Sequence, residues 1–206
     1  MQLTHTQAVV LMVANAAMWS MAGLVTRQLE SARSFEVTFW RSLFTVVALL
    51  VILPLLQGRG VFQKMRSAGP ILWISGLCWA TMFTAFMVAL TLTTVANVLV
   101  TMSLGPLLTA LFARVFLHQR IPVRTWAAIV VASVGIAWMF GQQAGPGGSL
   151  AGVLVALGVP LAAATNWCLL QKVGQQGAGT DMLPAVLIGA CLSALVALPV
   201  AWPLPQ

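Results

Sequence analysis

Residues 89–140 read ALTLTTVANVLVTMSLGPLLTALFARVFLHQRIPVRTWAAIVVASVGIAWMF. Two apolar runs, Val95–Val115 and Trp126–Phe140, flank a short basic segment with Arg114, His118, Arg120 and Arg124. Each run is near the length that crosses roughly 30 Å of hydrocarbon as a helix. Basic residues collect between the runs, which predicts a helical hairpin with its turn on the cytoplasmic side. Asn97, Thr101, Gly105 and Thr109 recur every fourth residue, so small and polar groups share one stripe of the first run. Pro106 lies within it and leaves the Met102 carbonyl without its usual helical donor, which predicts either a passive kink or a gate. The other spans are expected to pack around this hairpin.

The composition agrees with a membrane. Of 206 residues, 60% are hydrophobic and 6% charged, and mean hydropathy is +0.98. A soluble domain carries about 25% charged residues. The apolar runs are continuous rather than alternating, which selects helices over barrel strands. Ten Lys and Arg face only three acids, Glu30, Glu36 and Asp181. No basic cluster with interleaved aromatics accompanies them, so the charge is read as basic cytoplasmic loops and not as a nucleic-acid surface. Cys78, Cys168 and Cys191 fall in apolar runs, with no CxxC spacing and no His cluster. Neither a metal site nor a disulfide framework is expected.

The expected class is an all-α membrane protein with about seven spans. These are about Ala8–Thr26, Val37–Leu56, Pro70–Leu90, Val95–Val115, Val123–Phe140, Leu150–Leu170 and Met182–Trp202. With the N-terminus inside, the inner loops gather Arg59, Lys64, Arg66, Arg114, Arg120, Arg124 and Lys172, against Arg27 and Arg33 outside. The bias predicts a cytoplasmic N-terminus. Glu30, Glu36, Asp181, His5 and His118 are read as loop residues.

A shift of 145 positions aligns Arg27 with Lys172, Glu36 with Asp181, Leu53 with Leu198 and Pro54 with Pro199. This suggests an internal repeat: a five-span unit at 1–141, a Gly-rich linker at 142–149, and two spans of a second copy at 150–206. An odd unit inverts its copy, an arrangement that places a substrate site between the repeats near the midplane. The second copy is short by three spans, which is read as a truncation. Faces left bare by it predict self-association, and an inactive or partner-dependent fragment is the alternative reading.

The ordered features resemble the EamA-type permeases of the drug/metabolite transporter superfamily. The likeness rests on "GPLLTALFA" at Gly105–Ala113, the turn "FLHQRIP", Trp126 and Gly135 in the next span, Trp19, and "FWRSLF" at Phe39–Phe44. Gln119 stands where the family usually has Glu in the basic turn. The resemblance implies an inner-membrane permease that exports or imports small metabolites. With the inverted repeat, the leading reading is a permease for a small amino-acid-like or amphipathic solute that works by alternating access; no cofactor is expected.

The candidate substrate-binding residues are Asn15, Trp19, Arg41, Trp79, Asn97, Thr101, Asn166 and Trp167. Asn15 and Trp19 share a face of the first span, where Asn15 either lines a cavity or bonds to a neighbouring helix. Arg41 is the formal charge within an apolar run, suited to an anionic group of a solute or to snorkelling. Trp79 belongs to a stripe with Ser75, Met82 and Phe86, which also reads as packing. Asn97 and Thr101 suit either a cavity or close helix contact. Asn166 and Trp167 are expected to line the second copy's share of the cavity, with Pro160 as its kink. No nucleophile–base pair and no phosphate-binding loop is present, so an enzyme and an ATP-driven pump are both disfavoured.

Overall fold

A computed structural model describes residues 5–28, 34–58, 60–67, 69–119, 122–143, 149–175 and 182–201. Among the described residues every regular element is helical: α1 His5–Gln28, α2 Ser34–Gln57, α3 Val61–Ser67, α4 Pro70–Leu92, α5 Val95–Met102, α6 Gly105–Phe116, α7 Val123–Gln143, α8 Leu150–Gln175 and α9 Leu183–Ala201. The segments Glu36–Leu56, Pro70–Leu92, Val95–Phe116 and Leu150–Gln175 are long and apolar enough to cross a membrane. Val123–Gly135 and Leu183–Pro199 are shorter apolar segments. This is an all-α membrane protein.

The chain forms two units, Met1–Arg33 and Ser34–Gln206. The first contributes α1, whose residues Val9–Met18 are exposed, Asn15 among them. The second contains the packed bundle.

In that bundle the centre is α4, which lies against both α8 and α9, while α2 packs on α9 and α6 on α8. The quoted hairpin is therefore not the hub. Its second arm, α7, touches the rest mainly through α5 and presents Val130, Val131, Val134 and Trp138 outward. The reason is side-chain size. In lipid, helices gain little from burying Leu against Leu, and close approach through small residues decides who packs with whom. The buried positions of α4 and α8 are largely Gly, Ala, Ser and Cys, which lets these helices approach closely.

Gly76 and Gly189 let α4 and α9 approach closely. A Cβ on Gly76 would fall 2.6 Å from Ile188 Cγ2, and one on Gly189 would collide with Trp79 Cβ. The α2–α9 seam is antiparallel: Ser42 meets Ser193, while Leu53 and Leu187 share a buried cluster, so numbering rises along one helix and falls along the other. The 145-residue shift pairs these same two helices. Each carries its proline, Pro54 or Pro199, inside the helix.

Three local expectations change. The basic segment after Gln57 contains a short helix, α3. Glu36 is not a loop residue. Helix α2 begins at Ser34, which places this carboxylate in the first turn and only 9% exposed. An acid there complements the partial positive charge of the helix N-terminus. His5 starts α1 rather than lying in a loop. Glu30 and Asp181 lie outside the described residues.

Candidate functional site

The apolar run at 95–116 is two helices. Helix α5 starts at Thr94, whose hydroxyl accepts the Asn97 N–H at 3.3 Å. It ends where Ser103 N–H reaches back to Leu99 at 3.1 Å and Leu104 N–H to Thr101 at 3.2 Å. Pro106 then sits in the first turn of α6, where its missing N–H costs nothing. The expected kink is thus a break at Ser103–Leu104. It divides the small-polar stripe. Asn97 and Thr101 stay buried, whereas Gly105 and Thr109 face a cleft.

That cleft, of about 640 Å³, lies between α6, the α6–α7 turn, the start of α7 and the second half of α8. Its wall is Pro106, Thr109, Gln119, Thr125, Trp167 and Gln171, completed by glycine and alanine. A smaller space of about 290 Å³ lies between α6 and α7 and shares Pro106 and Thr125 with it. The turn beneath the cleft is held by backbone geometry. His118 adopts φ 53°, and the Ala113 carbonyl accepts both Leu117 N–H at 3.1 Å and Gln119 N–H at 3.3 Å. The Arg114 guanidinium lies 6.0 Å from the Trp126 ring centroid, tying α6 to α7.

Of the eight candidates, Trp167 lines the cleft and is 54% exposed. Its neighbour Asn166 points elsewhere, because consecutive helical residues diverge by about 100°. Asn166 is buried in the α4–α8 seam, where Ser75 Oγ donates to its Oδ1 at 2.5 Å. Asn97 Nδ2 donates to Thr93 Oγ1 at 3.0 Å, and Thr101 Oγ1 donates to the Asn97 carbonyl at 2.7 Å. The Asn166 bond joins two helices, whereas those of Asn97 and Thr101 are local to α5 and the link before it. Trp79 packs on Gly189 and stands 5.6 Å from Phe83, centroid to centroid. Phe83 in turn lies 5.0 Å beneath the Arg41 guanidinium. Asn15 is exposed on α1 in the other unit. The Trp19 side chain lies outside the described residues.

Sequence reasoning passed over two features. Gln119, Thr125 and Gln171 were not singled out for the cleft, although Gln119 marked itself by standing where the resembled family has Glu. The other is a hydroxyl node: Ser42 and Thr84 both donate to Ser193 Oγ at 3.3 Å, joining α2, α4 and α9. No local pattern links residues 42 and 193.

Among the described residues no three His, Cys, Asp or Glu side chains gather as a metal site. Comparison with known proteins gives one finding: a family model described as the EamA-like transporter family matches residues 6–141. Neither the curated proteins nor the solved structures give a match.

Proposed function

The chain belongs to the EamA-like transporter family, a family of membrane transporters for small solutes, and on that premise we propose that it carries a small polar or amphipathic metabolite by alternating access through the α6–α8 cleft. The observation that carries this reading is the cleft itself. About 640 Å³ suits a small molecule, for which pockets usually span about 300–1,000 Å³. An indole and several uncharged polar groups line it. The α5–α6 break supports the same reading, since irregular backbone within a membrane span is tolerated where it lines a cavity or is covered by protein.

We place the chain in a cell inner membrane from its family, and its N-terminus in the cytoplasm from the distribution of basic residues. The cleft then opens beside the basic α6–α7 turn, on the cytoplasmic side. Residues 1–141 form the first repeat, 142–149 the linker and 150–206 part of an inverted copy. The antiparallel α2–α9 seam supports that pairing and would be the axis about which the halves rock.

The test is uptake of a radiolabelled panel of amino acids, amines, organic acids and polyols into liposomes that hold the purified chain. Saturable flux above that of protein-free liposomes is the expected result. No saturable flux from a folded, helical preparation would overturn the transport reading.

A further inference from the structure

We propose that the α6–α8 cleft selects uncharged solutes of about monosaccharide size that carry several hydroxyl or amide groups and one flat apolar face. This rests on the transport reading and names the solute class of the same site.

Among the described residues the wall carries no formal charge. A charged solute held against this wall would lose part of its hydration and meet no counter-ion among the described residues, which is unfavourable. The nearby cations among the described residues do not change this. Arg114 is engaged over Trp126, and neither Arg124 nor Lys172 lines the cleft. Arg41, the charge within a span, covers Phe83 and is not part of the wall.

What the wall does offer is matched donors and acceptors. Gln119 and Gln171 each present a carbonyl and an NH₂ group, and Thr125 a hydroxyl. Among the described residues these three make no side-chain hydrogen bond, so their capacity is free for a solute. Thr109 differs: its hydroxyl proton is committed to the Gly105 carbonyl at 2.8 Å, which leaves it an acceptor. Hydroxyl and amide groups both donate and accept, so they complement this mixture. Trp167 supplies the remaining element. Its large flat ring packs against an apolar face, such as the C–H face of a cyclic polyol.

The experiment uses liposomes holding the full chain and three probes of similar size: myo-inositol, gluconate and choline. Saturable flux of myo-inositol is expected to exceed that of the anion and the cation. Trp167→Ala and Gln171→Leu should each lower it about tenfold, the loss of one good contact. Trp167→Phe, which keeps a flat ring, should retain most of it. Both positions are exposed, so these variants should keep the wild-type elution volume and helical spectrum. Equal or preferred flux of gluconate or choline would overturn the proposal, as would myo-inositol flux indifferent to both substitutions. In either case the transport reading stands. The same holds if none of the three moves while another panel solute does. Absence of saturable flux for every solute tried would overturn both.

Discussion

The Ser75 hydroxyl donates to the Asn166 side-chain oxygen at 2.5 Å, with both residues at most 2% exposed. The bond joins α4 to α8, two of the helices at the centre of the bundle. Interhelical hydrogen bonds in membranes average about 0.6 kcal/mol and reach about 1.7. A double-mutant cycle of Ser75→Ala and Asn166→Ala, measured by unfolding in mixed micelles, should give a coupling within that range. Additive single effects would show that the pair contributes no specific energy.

The α4–α9 contact should be intolerant of a single methyl. Alanine at Gly189 must displace Trp79 or the backbone of α4, and alanine at Gly76 must displace Ile188. Overpacking of this kind costs about 1–3 kcal/mol. Gly135 on α7 is the control, since a Cβ there meets nothing within 4 Å. Gly135→Ala should be neutral, or stabilise by up to about 1 kcal/mol through helix propensity. Unfolding curves for the three variants test the contrast.

Arg41 and Phe83 form a cation–π pair across α2 and α4. Such pairs contribute about 0.5–1 kcal/mol when exposed and about 2 or more when desolvated. Arg41→Gln and Phe83→Leu should therefore each lower stability, and their combination should cost less than the sum. If Arg41 instead met a solute anion, Arg41→Gln would change gluconate flux and leave stability unchanged.

The turn under the cleft holds His118 in the left-handed region at φ 53°. That conformation costs an L-residue about 1–2 kcal/mol, and glycine avoids the penalty. His118→Gly should hold or raise the thermal midpoint. A clear drop would mean that the imidazole makes a contact that outweighs the backbone strain.

Much of the fold was legible because membrane helices announce themselves by length and lack of charge. The link Thr93–Thr94 and the onset of α8 at Leu150 lie where the sequence reading places them, whereas the single kinked span at 95–115 is two helices broken at Ser103–Leu104. Packing order was not legible in the same way. It depends on which faces are small, and the Gly76–Ile188 and Gly189–Trp79 contacts are set by residues more than a hundred positions apart. The same limit governed the site. A polar residue in an apolar run announces a need for partners but not their identity. Asn97 found its partner in the link before α5, Thr101 in its own helix and Asn166 across on α4, whereas Gln119, Thr125 and Gln171 line the cleft. Glu36 went inward because its helix starts one turn earlier than the apolar run suggests.

The central claim is that solute passes through the α6–α8 cleft. The most direct measurement is alkylation of a single cysteine placed at Ala163, on the cleft wall, by a membrane-impermeant maleimide in proteoliposomes. The native cysteines, two of them buried, are replaced first. Modification is predicted to abolish saturable flux, and transported solute is predicted to slow the modification. Full alkylation with unchanged flux, or a rate indifferent to solute, would contradict the account.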